Sequence, residues 1–187
     1  MTNRRLIRTS KTLSLCLRHD PGRFGVTLDG SGWAEVGALL TALAAHGVRL
    51  TRAELDEVVE RNDKRRFAFD DSGARIRASQ GHSINVDLGY EPAAPPETLY
   101  HGTVARVLGL IMDEGLRPMA RHDVHLSADV ATARKVGSRR GRPVVLTVAA
   151  ARMHAAGHTF RTSANGVWLT PAVPPEHLGV LPDEPTP

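Results

Sequence analysis

Arg18 and His19 stand side by side at the end of an apolar run, in "LSLCLRHDPGRFGV", residues 13–26. Arginine offers a planar fork of donors that matches phosphate, and histidine can donate a hydrogen bond or exchange a proton near neutral pH. Cations at a helix C-terminus also complement the helix dipole. Alone, the pair reads either as a cap or as half of an anion clamp. Four further stretches carry related chemistry. "NDKRRF", residues 62–67, is a basic cluster between a helix and a strand, usually a solvated turn. Strand alternation turns Arg66 away from Phe67 and Phe69, toward the side of Ala68, where it could face the first helix. In "SQGHS", residues 79–83, Gly81 allows close backbone approach, and His82 and Ser83 are donors. In "YHGT", residues 100–103, the spacing suggests a strand end with Thr103 as the N-cap of the next helix. Free N–H groups there would suit an anion, with His101 near a ribose. "MARHDVHLS", residues 119–127, holds Arg121, His122 and His125. Only Asp123 could add a nearby metal ligand, so donors around a nucleotide fit better than a metal site.

The elements that must position these residues fall into two halves. In the first, Leu6, Leu13, Cys16 and Leu17 recur at helical spacing. A second helix is expected over about 35–46, ended by Gly47. A third begins at Thr51 and Glu54, a capping-box spacing, and carries Leu55, Val58 and Val59 on one face. "RFAF" and "ARIRA" then read as two strands around "DDSG". In the second half, "TLYHGT" is a strand leading to a helix over about 104–114, and "VHLSAD" a strand leading to a helix over about 129–138. "PVVLTVAA" is a buried strand, and "TFRTSANGVWLT" a hairpin around Asn-Gly. The proline-rich stretch "GYEPAAPPE" at 89–97 separates the halves, giving expected domains at 1–90 and 97–187 with a linker at 91–96. The pattern is α+β, without an alternating parallel series.

The chain has 187 residues, 41% hydrophobic and 24% charged, with a net charge of +4. That is enough chain for a sizeable core, and the positive balance weakly favours anionic partners. Lys11, Lys64 and Lys135 are the only lysines among 24 basic residues, so the positive charge is carried by arginine forks, a bias that a GC-rich genome also produces. One cysteine, Cys16, excludes an intrachain disulfide and fits a reducing compartment. No apolar run approaches a membrane span, and the N-terminus has no signal-peptide core, so a cytoplasmic protein is expected. There is no P-loop, H-E-x-x-H or G-x-S-x-G, and "GSGWAE" lacks the third glycine of a dinucleotide fingerprint. "SRRGR", residues 138–142, could touch RNA but reads more simply as a solvated loop.

Taken together, "SKTLSLCLRH", "NDKRRF", "SQGHS", "HGT" and "RHDVHLS" resemble the RNA 2′-phosphotransferase family in type and order, and "NGVWLT" extends the match to about residue 170. The resemblance implies a winged-helix-like RNA lobe followed by a lobe of the ADP-ribosyltransferase fold, with mixed or antiparallel strands. It implies NAD as co-substrate, no metal, and RNA carrying a 2′-phosphate as partner, as in tRNA splicing. The family's catalytic Arg-His-Arg-Arg set maps onto Arg18, His19, Arg66 and Arg121. The cofactor residues map onto His101, Gly102, Thr103, His125 and Ser127, and the RNA phosphate would meet Arg18, His19, Arg66, His82 and Ser83. Near "NGVWLT" the chain has Val167 and no glutamate, unlike many protein-modifying ADP-ribosyltransferases.

Two other classes compete. A winged-helix regulator would bind nucleic acid with steep salt dependence and need no nicotinamide cofactor. An ADP-ribosyltransferase acting on nucleic-acid phosphate ends or another acceptor would leave ADP-ribose on its target. Nothing in the sequence demands more than a monomer.

Overall fold

The computed structural model describes residues 1–62 and 64–182. Asp63 of "NDKRRF" and most of the C-terminal tail "LPDEPTP", counted in the expected 97–187 domain, lie outside the described residues. The chain forms two compact units, Met1–Gly89 and Tyr90–Pro187.

The first unit opens with α1 (Asn3–Arg18), capped by the Thr2 side chain, which accepts from the Arg5 N–H. The apolar stripe of the sequence becomes its inner face: Leu13, Cys16 and Leu17 are fully buried and Leu6 nearly so. Burial, with Asp20 nearby, pushes the Cys16 thiol up to about 12, so this cysteine is chemically inert. A two-residue strand β1 (Ala34–Glu35) leads into α2 (Val36–Ala45). Gly47, at φ +77°, takes the left-handed position just past the end of that helix. α3 (Arg52–Glu60) begins with the expected capping box, in which Thr51 and Glu54 satisfy each other's backbone N–H. β2 (Phe67–Phe69) and β3 (Arg75–Ala78) pair antiparallel, and β3 also pairs with β1, giving the order β1-β3-β2. The three helices and the sheet enclose a core that includes Leu39, Leu43, Leu55, Val58, Phe67 and Ile76.

The second unit has two three-stranded antiparallel sheets. β4 (Leu99–Val104) pairs with β6 (Pro143–Val148), and β6 with β9 (Leu178–Val180). β5 (Val124–Leu126) pairs with β8 (Trp168–Thr170), and β8 with β7 (Arg161–Thr162). A bridge between Tyr100 and Ser127 joins the sheets: each backbone N–H donates to the other's carbonyl, at 2.9 and 2.8 Å. Helices α4 (Leu108–Glu114), α5 (Val130–Gly137) and α6 (Ala150–Ala155) complete the unit. Phe160, Leu99, Leu126, Leu146 and Met153 fill its core. Residues 91–96, expected as a linker, are partly tied down within this unit: Pro92 bridges to Arg161, and the Ala93 N–H donates to the Phe160 carbonyl at 2.8 Å.

Several local expectations need correction. Thr103 is not a helix cap. β4 runs through it in register with β6, Thr103 opposite Val144, and the ladder continues to Val104. The expected helix over 104–114 starts later, at Leu108, after a 3-10 turn over Ala105–Val107 that has no side-chain cap. Its exposed N–H anion site therefore does not form at Thr103. The strand "PVVLTVAA" stops at Val148, because Ala150 already belongs to α6. In the 161–170 hairpin, Gly166 alone has a positive φ, +77°. The Ser163 and Val167 backbones pair across Ala164-Asn165-Gly166. This is a three-residue loop with glycine at its left-handed end, rather than a two-residue Asn-Gly turn.

Candidate functional site

In the first unit, three separate segments converge on Arg18 and His19. α1 ends at Arg18, which is only 8% exposed, and His19 is its C-cap. The Arg18 Nη2 donates to the Arg66 carbonyl at 3.2 Å, and its guanidinium lies 5.8 Å from the centroid of the Phe67 ring. The segment after β3 closes from the other side. The Ser83 N–H donates to the Arg18 carbonyl at 2.9 Å, and the Ser83 Oγ lies 3.0 Å from the His19 Nδ1. The Arg18 guanidinium, the His19 imidazole and the Ser83 hydroxyl thus meet at one corner, against the backbone of Arg66, and groups of these types can donate to a phosphate.

Arg66 is held by a residue that the sequence reading missed. Its Nη1 donates to the Asn62 Oδ1 at 3.0 Å, and the Lys64 N–H donates to the same oxygen at 3.2 Å. Since both partners can only donate, the Asn62 amide orientation is determined. Its Nδ2 then donates to the Ser10 Oγ of α1 at 3.1 Å. Asn62 is 5% exposed. Arg65 adopts φ +41°, a costly region for a side chain of this size. The Ser79 Oγ donates to the Arg65 carbonyl at 2.9 Å and the Ser79 N–H to the Arg66 carbonyl at 2.8 Å. The strained turn is thereby tied to the end of β3. Asn62→Leu is expected to destabilise the first unit by about 1–3 kcal/mol, because Ser10 and the turn lose buried partners. Denaturant unfolding measures that loss, and an unchanged midpoint would remove Asn62 from this network.

The remaining sequence candidate here, His82, directly precedes Ser83 in the chain. His82 is buried at 3% exposure with its Nε2 beside Gly32, 3.5 Å from where a Cβ on that glycine would lie.

In the second unit, His101 on β4 and His125 on β5 are neighbours. The His101 Nδ1–H donates to the His125 carbonyl at 3.1 Å. The Arg121 Nη1 donates to the His125 Nδ1 at 2.6 Å, which makes that nitrogen an acceptor and leaves the His125 proton on Nε2. Burial pushes the His101 pKa below its ordinary value of 6.5, only partly opposed by the bond to His125, and the charges of Arg140 and Arg121 push the same way. Burial and Arg140 also lower the pKa of Arg121. Arg140, in the turn Ser138–Arg140, therefore belongs to the electrostatic surroundings of both residues. Within a run of arginines it gave no sequence signal beyond a solvated loop.

A neutral His101 makes stability depend on pH. Below about 6.5 the unfolded chain takes up a proton at this residue that the folded chain resists. Its contribution is complete above that pH and is lost progressively as pH falls toward the depressed folded value. Melting of wild type should therefore decline below about pH 6.5 more steeply than melting of His101→Asn. Parallel curves would contradict the assignment.

Gly102 and Thr103 complete the "HGT" segment. A Cβ on Gly102 would meet the Ala133 carbonyl oxygen at 1.8 Å, so α5 lies directly on this strand. Ser127 forms the backbone bridge to Tyr100. No group of three or more His, Cys, Asp or Glu residues that could hold a metal occurs among the described residues. No helix among them is long and apolar enough to cross a membrane.

With this geometry established, comparison with known proteins is informative. The family described as RNA 2′-phosphotransferase, Tpt1/KptA family, matches residues 4–172. A Streptomyces coelicolor protein named "Probable RNA 2′-phosphotransferase" is 62% identical over 178 residues, covering 95% of this chain and 97% of its own length. A protein of the same name from Streptomyces griseus is 60% identical over 185 residues, covering 95% and 98%. One from Nostoc punctiforme is 52% identical over 178 residues, again covering 95% and 98%. Similarity of this extent makes the chain a transferase. It belongs to the RNA 2′-phosphotransferase family.

Proposed function

We propose that this enzyme removes an internal 2′-phosphate from RNA by transferring it to the ADP-ribose portion of NAD. The observation that carries this reading is the convergence of Arg18, His19, Arg66 and Ser83 at one corner of the first unit, in a chain of this family. The first unit is read as a winged-helix-like RNA lobe, from its three helices and antiparallel hairpin. The second is read as an ADP-ribosyltransferase-like lobe in which His101, Gly102, Thr103, His125 and Ser127 serve NAD. Arg121, bonded to His125, is the second unit's own contribution to the chemistry.

The reaction has two steps. An oxygen of the RNA 2′-phosphate attacks the anomeric carbon of the nicotinamide ribose, and the C–N bond breaks with its electron pair leaving on nicotinamide. A phosphate dianion is already a competent nucleophile, so this step needs positioning more than a base. The ribose 2″-hydroxyl of the RNA-2′-phospho-ADP-ribose intermediate then attacks phosphorus. The bond to the RNA 2′-oxygen breaks and that oxygen takes a proton. The products are 2′-OH RNA and ADP-ribose 1″,2″-cyclic phosphate. Charge builds on the phosphate oxygens in this second step, where guanidinium forks are most effective. His19 donates to the phosphate or moves the proton.

The test is a short RNA with one internal 2′-phosphate, incubated with and without NAD, followed by mass spectrometry of both products. Dephosphorylated RNA and the cyclic phosphate, formed only with NAD, are expected. RNA that gains ADP-ribose and stops there would make the protein an ADP-ribosyltransferase. Tight binding without reaction would leave a nucleic-acid-binding module. A place in tRNA splicing and a cytoplasmic, monomeric state belong to the same proposal.

A further inference from the structure

α1 carries a second feature beside its apolar face. Arg4, Arg8 and Lys11 are all exposed and recur at i, i+4 and i+7, the spacing of one helical stripe. Arg18 follows seven residues after Lys11, two turns further along the same side, about 10 Å away. No acidic residue occurs anywhere in Asn3–Arg18. Several other arginines of this unit are neutralised: Arg5, on another face of α1, pairs with Glu54, Arg52 with Asp56, Arg61 with Glu57, and Arg75 with Asp70. Among the described residues, Arg4, Arg8 and Lys11 have no such partner. Their charges are left available, in a row that ends at the corner formed by Arg18, His19 and Ser83.

We infer that this face of α1 is a track for the RNA strand flanking the 2′-phosphate, with Arg4, Arg8 and Lys11 contacting successive backbone phosphates. The inference rests on the proposed RNA 2′-phosphotransfer. The cations lie about 4.5–6 Å apart along the helix axis, a spacing a flexible single strand can follow. Contacts of this kind hold the backbone without reading bases. The track therefore favours longer RNA over a dinucleotide, independently of sequence.

The test uses the full chain carrying Arg4→Gln, Arg8→Gln and Lys11→Gln together, beside a variant with Arg4→Lys and Arg8→Lys. Two quantities are read. One is the salt dependence of binding to a single-stranded RNA of about twenty nucleotides, on which each phosphate contact contributes about 0.7 to the slope of log K against log salt. The other is the ratio of kcat/KM for that RNA, bearing one 2′-phosphate, to kcat/KM for a 2′-phosphorylated dinucleotide. The glutamine variant is expected to lose about 2 from the slope and to lose the length advantage. The lysine variant should keep both. An unchanged slope or an unchanged ratio overturns the track, and so does an equal loss on both substrates. If wild type turns over neither RNA, the phosphotransfer reading fails, while the binding slopes still decide whether α1 carries the strand.

Discussion

Arg18→Ala is expected to slow turnover by about 10²–10³-fold, with ADP-ribosylated RNA accumulating as the reaction proceeds. The asymmetry between the steps is the informative part. In the first step of the proposed reaction the phosphate is a nucleophile and must only be placed. In the second, its oxygens take on the charge of a phosphoryl transition state, and a lost guanidinium is felt most there. Arg18 is well placed for this role because the fold holds it rigidly. It is 8% exposed, its Nη2 donates to the Arg66 carbonyl, and its guanidinium lies over Phe67. Arg18→Lys should recover little, since an ammonium keeps the charge and loses the planar fork. His19→Ala should show the same pattern, because the imidazole beside the Ser83 Oγ is the group at this corner able to move a proton. A quenched time course with mass spectrometry of the RNA resolves the intermediate. Full turnover by either alanine variant would remove this corner from the chemistry.

Gly102→Ala is expected to destabilise the second unit severely. The added Cβ would lie 1.8 Å from the Ala133 carbonyl oxygen, 2.7 Å from its carbon and 2.8 Å from the Gly137 nitrogen. All three are backbone atoms of α5, so no side chain can swing aside. Either the helix lifts from β4 or the strand shifts out of register with β6. Overpacking of this kind costs about 1–3 kcal/mol and sometimes more. For a unit of this size, a loss of about 2 kcal/mol lowers the melting midpoint by roughly 10 °C. Gly109→Ala is the control. Nothing lies within 4 Å of the added atom, and the residue sits inside α4. That change is expected to be neutral or to stabilise by up to about 1 kcal/mol through helix propensity. Thermal melts of the two variants separate packing from the general cost of replacing glycine. If Gly102→Ala melts with wild type, the close approach of α5 is not a constraint on the fold.

The two glycines illustrate a wider division. Both look alike in the sequence, each between ordinary neighbours. Gly102 was assigned to NAD through its place in "HGT", and its packing against α5 depends on residues 31 to 35 positions away. The elements themselves were largely legible. The α1 stripe, the Thr51–Glu54 capping box and the β2–β3 hairpin depend on contacts within a few residues, so the sequence displays them as periods and spacings. The late strand β9 and the short helix α6 were not legible. Each is brief, and β9 exists only because β6 offers it an edge.

For the candidate site, the sequence by itself determined the residue types, their order and the family they resemble: Arg18, His19, Arg66, Arg121, His101 and His125. It could not show what holds them. Asn62 bridges α1 to Arg66 across 52 positions of chain. Arg121 sets the tautomer of His125 by occupying its Nδ1, and Arg140 joins their electrostatic surroundings from a turn that reads as solvent-exposed. Thr103, with a side chain suited to capping, was drawn into a strand by its pairing with Val144. The physical reason is common to all four. Helix periods and caps are set by neighbours along the chain, whereas orientation, protonation and close approach are set by neighbours in space. Those spatial neighbours are assigned only when the whole unit packs.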